Sequence, residues 1–272
     1  MIVAVSDVHL GVAGLESLAS GRTEFRRFLR HLRDEARPDH LVLNGDVEDL
    51  WRRDMRTLTR ENYDVFTLLS ELRDAGIGVH YVLGNHDWYA RRDARARGEP
   101  YYETEYDAEL TLETDGTAYA FLHGHQFDPL QREWYFDKLA LVSDDAVGAT
   151  FSKKWAVVAD ADDNVELAKT LGKLLYDRIS EGSWDRRVLE MDRCETDLDL
   201  GVEPPGSARY VRSRPEVDWL CIGHTHEAGI AGSGNVANSG AWLGDRHTYL
   251  ELTDEPRLME WNEGDPIEAG VP

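Results

Sequence analysis

The sequence predicts an α/β fold with a helical insertion, on three observations. Short apolar runs of strand length alternate with amphipathic helical stripes through the first 125 residues. Strand-like segments return after residue 215, and the stretch between, residues 126–215, is mostly helical in pattern. In order, the spacing predicts a strand at Ile2–Val5 and a helix over Thr23–Ala36, where Phe25, Phe28, Leu29, Leu32 and Ala36 recur on one face. A strand follows at Leu41–Leu43. A second helix over Glu61–Ala75 carries Val65, Leu68, Leu69, Leu72 and Ala75, and Gly76 stops it. Strands at Val79–Leu83 and, after an acidic, turn-rich connection, at Tyr119–Leu122 complete this half.

Within the insertion, Leu130–Val142 and Asn164–Ile179 are the clearest helices, and Gly201–Ser207 reads as a loop. Strands return at Val217–Ile222, Gly229–Ala231, Asn235–Asn238 and His247–Leu252, and the stretch after Glu263 reads as frayed. At 272 residues the expected organisation is a single domain, 1–272, with 126–215 as a helical cap inserted in it.

Composition narrows the class. The apolar fraction of 42% is enough for a substantial core, and no stretch approaches the roughly 20 apolar residues a membrane span needs. Ile2–Val5 is too short for the apolar region of a secretory signal. Two cysteines, Cys194 and Cys221, cannot build a disulfide framework, so the cytoplasm is the expected compartment. There are 52 acidic residues against 30 basic ones, a formal net charge of −22, and only five of the basic residues are lysine. Such a surface repels nucleic acid and anionic membranes over most of its area. Molar salt would screen its self-repulsion, because the Debye length falls to about 3 Å at 1 M. This acid-rich, lysine-poor composition resembles that of proteins from salt-loving archaea.

Polar clusters directly follow five of the apolar strands. They are Asp7-Val8-His9, Gly45-Asp46-Val47-Glu48-Asp49, Gly84-Asn85-His86-Asp87, His123-Gly124-His125 and Gly223-His224-Thr225-His226. Taken alone, each has an ordinary structural explanation: a capping aspartate, a tight turn, an Asx turn. Five at five strand ends point to one place, since ligands bind beyond the carboxyl ends of strands in α/β sheets. Carboxylate, imidazole and amide oxygen together suit Mn, Fe, Zn, Co or Ni rather than calcium. A shared carboxylate can bridge two ions about 3.5–4 Å apart, as hydrolytic two-metal sites require.

In order and type these clusters resemble the calcineurin-type metallophosphoesterase pattern D-x-H, G-D-x-x-D, G-N-H-[DE], H, G-H-x-H, from Asp7 to His226. The resemblance implies two facing mixed β-sheets flanked by helices, a four-layer sandwich with a dimetal site at one edge. It implies two divalent ions, Mn²⁺ foremost. Asp7, His9, Asp46 and His226 would hold the first, and the bridging Asp46 with Asn85, His123 and His224 the second. His123 is preferred to His125 because the family ligand is the first histidine of its H-G-x turn. His125 would then lie beside the ligands or face substrate. His86 would act on the phosphoryl or leaving oxygen and Asp49 would orient it, unless Asp49 is a helix N-cap. Hydrolysis would proceed by a hydroxide bridging the ions.

The run GDVEDLW at 45–51, the HGH turn, the helical insertion and GHTH followed by Asn238-Ser239-Gly240-Ala241-Trp242 resemble the UDP-2,3-diacylglucosamine hydrolase branch, which cleaves a pyrophosphate. Two positions depart from it: His86 stands where that branch has arginine, and His125 where it has aspartate. A salt-loving archaeon would make no lipid A, so the branch implies shape rather than substrate.

Arg52, Arg53 and Arg56, with Arg91 and Arg92, are candidates for substrate phosphates, or else solvated surface. The rings of Phe127, Trp134, Tyr135, Phe136, Phe151, Trp155 and Trp184 could line a nucleoside or lipid pocket or form the cap's own core. The expected partner is a small-molecule phosphoester or nucleotide-type substrate. The rivals are a nuclease of the same family, disfavoured by charge, and a non-catalytic metal-holding scaffold, disfavoured because His86 and Asp49 are intact. A protein-serine/threonine phosphatase fits less well, since Leu50 rather than arginine follows Asp49.

Overall fold

The computed structural model describes residues 1–10, 16–50, 55–87, 108–128, 200–243, 246–262 and 264–269. All of them belong to one compact unit, Met1–Glu133 with Leu200–Pro272. Most of the predicted cap, including both of its clearest helices, lies outside the described residues, as do Arg52, Arg53, Arg91, Arg92 and Cys194.

Two mixed sheets form the frame. The first joins β1 (Ile2–Val5), β2 (His40–Asn44) and β3 (Gly78–Val82) in parallel, and continues from β1 through antiparallel β9 (His247–Leu252), β10 (Pro256–Asn262) and β11 (Asp265–Glu268). The second runs β4 (Leu110–Thr114), β5 (Thr117–Phe121), β6 (Trp219–Ile222), β8 (Val236–Asn238) and β7 (Gly229–Ala231), with β5, β6 and β8 parallel and an antiparallel strand at each edge.

Alternation along the strands sorts the core into layers. Ile2, Ala4, Val42 and Val82 meet Tyr119, Phe121, Cys221 and Ala237 between the sheets. Val3, Val5, Leu41, Leu43, Val79 and Tyr81 point the other way, to α1 (Glu16–His31), its π-helical end (Leu32–Ala36), α2 (Met55–Glu61) and α3 (Tyr63–Asp74). Ala120, Leu220 and Ile222 pack outward with Val217 and with Val211 of α4 (Ser207–Arg212). The period of two puts consecutive residues of a strand in different cores, and so fixes the register. The two-sheet expectation is met.

Sequence and structure differ at several ends. The first helix starts at Glu16, well before the apolar stripe, and Phe28 locks it to the sheet through Trp242, Tyr249 and Trp261, with ring centroids 4.8–5.5 Å away. Arg26 and Arg33 of the first helix pair with Asp64 and Glu71 of α3. The predicted 61–75 helix is split at buried Asn62, whose amide donates to the Leu58 carbonyl at 3.0 Å while its own carbonyl receives Val65 N and Phe66 N. Beyond Glu263 the chain is not frayed at first: β11 pairs with β10 over Met259–Asn262. In β10 itself Trp261 is buried under α1, its Nε1 donating to Glu24 at 3.1 Å. The acidic connection before Tyr119 holds strand β4, turned back by Asp115-Gly116, both at positive φ. Among the described residues no helix is long and apolar enough to cross a membrane.

Candidate metal centre

The carboxyl ends of β1, β2, β3, β5 and β6 come together at one edge of the sandwich. The β1 loop runs beside the β2 loop, with Asp7 N, His9 N and Leu10 N donating to the carbonyls of Gly45, Asp46 and Val47 at 2.8–3.0 Å. The two sheets are tied at this edge by Asn44, whose amide donates to the carbonyls of Leu122 and Cys221 at 3.1 and 3.2 Å. His224 N donates to Asp7 Oδ2 at 3.0 Å, and His86 N to Asp46 Oδ1 at 2.7 Å. Gly84 is required here, because a Cβ on it would collide with the Asp46 carboxylate.

Backbone strain concentrates at the same place. Eight described non-glycine residues have positive φ, and five of them are Asp7, His9, Asp46, His224 and His226, at 50–68°. Each such residue costs on the order of 1–3 kcal/mol and persists where its surroundings over-determine it, so the strain marks this edge as a functional site.

Three groups of side chains each bring their donor atoms within 4.8 Å of one another: Asp7, His9 and His226; His9, Asp46 and His86; and Asp46, His123 and His224. His226 Nε2 lies 3.2 Å and His9 Nε2 3.8 Å from Asp7 Oδ1, and His123 Nε2 lies 3.1 Å from Asp46 Oδ2. Asp49 is buried between two rings, 3.4 Å from His86 Nδ1 and 3.6 Å from His9 Nδ1. It is not a helix N-cap, since Leu50 directly after it is not helical. Asn85 is buried beside them.

The donor set fits cations. Both ring nitrogens of His9 and Asn85 Oδ1 are buried without a hydrogen bond, and Asp7 Oδ1 and His123 Nε2 are buried with only ion-pair neighbours. An unsatisfied buried polar atom costs about 1–3 kcal/mol. Such atoms converging beside two buried carboxylates form the nitrogen and oxygen cradle that a divalent ion satisfies.

Electrostatics agree. Burial would raise the Asp7 carboxyl, but the His123 and His226 rings outweigh it and hold it at about 2. Asp46 is likewise held well below the carboxylate range: burial opposes ionisation, and His123 and His86 overcome it. Burial favours a neutral His123, yet Asp46 and Asp7 push it up to about 10, and Asp7 raises His226 against the same opposition. His125 and His224 are lowered, chiefly by burial. The proton held on His123 thus balances the carboxylates where a cation would otherwise do so.

His123 Nδ1 faces the Asn44 carbonyl at 2.9 Å, which leaves Nε2 turned to Asp46. His125 is buried behind, its ring centroid 5.6 Å from that of His123 and 6.3 Å from that of His224. Three residues escaped the sequence reading as contributors. Asp87 accepts from Gly84 N at 2.6 Å, Val47 N at 3.0 Å and the Tyr81 hydroxyl, so it joins the β2 and β3 loops. Asp128 Oδ2 lies 3.1 Å from His224 Nε2. Asn238 braces the Gly223–His226 turn through Thr225 Oγ1 at 2.8 Å. Asp87 and Asn238 stood inside recognised runs, but nothing in the sequence pairs Asp128 with a histidine 96 residues away.

A family model described as calcineurin-like phosphoesterase matches residues 1–228. The chain belongs to the calcineurin-like phosphoesterase family. It is a metal-dependent phosphoesterase by that membership and by the donor groups at its edge. It is 35% identical over 86 residues to a UDP-2,3-diacylglucosamine hydrolase of Nitrosococcus oceani, a match that spans 31% of each chain. It is 23% identical over 235 residues to a UDP-2,3-diacylglucosamine hydrolase of Porphyromonas gingivalis, covering 83% of this chain and 82% of that one. Among solved structures, a dimetal phosphatase from Danio rerio aligns over 98% of this chain and 97% of that one, at 15% identity and a TM-score of 0.48.

Proposed function

We propose that the chain hydrolyses a phosphate ester or phosphoanhydride bond in a small molecule, with two divalent ions, Mn²⁺ foremost, at the strand-end edge. Asp7, His9 and His226 hold the first ion and Asn85, His123 and His224 the second, with Asp46 shared. The observation that carries this reading is that two of the three donor groups meet at Asp46, one of them shared with His9 and the other with His123 and His224. When bound, such ions supply Lewis acidity at phosphoryl oxygens and lower the pKa of water.

The protein's own part is positioning and charge. Asp49 sits beside His86 Nδ1, which orients the ring so that Nε2 can reach a phosphoryl or leaving oxygen. His86 also lies within 4.8 Å of donor atoms of His9 and Asp46, close enough to touch a group bound to the ion they hold. The burial of Asp7, Asp46 and His123 keeps water from screening these charges.

A small substrate is favoured over nucleic acid by the net charge of −22. Relatives named for a UDP-sugar substrate favour a diester or pyrophosphate over a monoester. Arg52, Arg91 and His125 are the residues we assign to substrate contact, and 126–215 we take as an inserted cap.

The test is hydrolysis of bis-p-nitrophenyl phosphate, p-nitrophenyl phosphate, cyclic nucleotides, UDP-sugars and single-stranded DNA, with Mn²⁺ or chelator, at low and molar salt. Mn²⁺-dependent turnover confined to small diesters or pyrophosphates is expected. Cleavage of DNA alone would transfer the chain to the nucleases, and two bound ions with no turnover of any substrate would favour the scaffold.

A further inference from the structure

The geometry points to Asp128 as a positioning residue that fixes the tautomer of His224 and so sets the affinity of the pocket formed by Asp46, His123 and His224. The inference rests on the two-ion reading above. His224 Nε2 lies 3.1 Å from Asp128 Oδ2, and the two side chains are only 10% and 11% exposed. A carboxylate accepts and does not donate, so the proton sits on Nε2 and the lone pair on Nδ1.

The other imidazole of the group is held the opposite way. His123 Nδ1 donates to the Asn44 carbonyl at 2.9 Å, and its Nε2 faces Asp46 at 3.1 Å. Each ring thus has one nitrogen spent on a fixed acceptor and one lone pair left for a cation. An acceptor behind the ring also makes it a better donor to a metal.

One short turn joins the ligand His123 to Asp128. It begins at Gly124, with φ at 118°, directly after His123, and runs through the 3₁₀ residues His125–Phe127. Asp128 N closes it on the His125 carbonyl at 3.1 Å, and Gly124 N is held by Gln126 Oε1 at 3.0 Å. The loop after β5 therefore carries one ligand and the carboxylate that orients another, which arrives from β6.

The experiment is Mn²⁺ titration of the full chain and of Asp128→Ala, Asp128→Asn and Asp128→Glu, with free Mn²⁺ counted by electron paramagnetic resonance. Nitrogen-15 histidine spectra and melting curves of the metal-free proteins accompany it. The wild type should bind two Mn²⁺ and show His224 protonated at Nε2. Asp128→Ala and Asp128→Asn should weaken one ion roughly 10- to 100-fold and spare the other, and Asp128→Glu should recover part of the loss.

Wild-type affinities in Asp128→Ala, or a His224 proton on Nδ1 in the wild type, would overturn the role of Asp128 alone. Loss of both ions together with the melting transition would also overturn it, by showing a merely structural residue. A wild type that binds fewer than two Mn²⁺ would overturn the two-ion reading and this assignment with it.

Discussion

At one end of the centre His123 is fully buried, with one nitrogen tied to the Asn44 carbonyl and the other facing Asp46. At the other end His226 leaves 44% of its side chain exposed, and its Nε2 faces the Asp7 carboxylate at 3.2 Å. The donors of the first end are oriented by the sandwich itself, through a carbonyl at the end of β2 and a carboxylate in the turn after β5. At the second end Asp7 and His9 are buried as well, and the open side is that of His226, in the turn after β6. On the proposed two-ion reading, the difference sets a buried, preorganised pocket against a more open one, and the buried pocket should hold its ion more tightly.

The largest effect should come from removing what the two ends share. Asp46→Asn should reduce turnover to background and weaken both ions, as measured by Mn²⁺ titration; a variant that lost only one ion would show that Asp46 does not bridge. His86→Ala should leave both ions in place and lower kcat roughly 10²- to 10⁴-fold. Near-normal turnover in that variant would remove His86 from the chemistry.

His123→Ala and His226→Ala separate the ends. The first should strip the tightly held ion, and the second should weaken the other ion by a smaller factor and raise its exchange rate; equal losses would erase the distinction between the two pockets.

The smallest effect is on protons. His123, at about 10, holds a proton near neutral pH when no cation is present, so a cation must displace it. Affinity should therefore rise with pH up to the His123 value and fall as pH drops. Calorimetry of Mn²⁺ binding in buffers of different ionisation enthalpy checks this, and an enthalpy independent of buffer would contradict it.

The strand ends were legible because the apolar runs are short and each is followed at once by its polar cluster. Asp7, Asp46, His123 and His224 needed no long-range information. Asp128 and Tyr81 did, because their work depends on partners in other loops. The Asp115-Gly116 hairpin was written in the sequence as a two-residue turn between alternating segments, yet the surrounding acidic residues masked β4. The break at Asn62 lay hidden because the apolar stripe resumes directly after it. Strands β10 and β11 were not among the expected strands, because Trp261 gains its role only from α1 lying over it.

The two-ion centre is tested most directly by counting tightly bound Mn²⁺ per chain by mass spectrometry after gel filtration, in the wild type, His123→Ala and His226→Ala. The account predicts two ions in the wild type, with the ion that survives gel filtration best lost in His123→Ala and kept in His226→Ala. A single ion in the wild type, or its retention in His123→Ala, would contradict it.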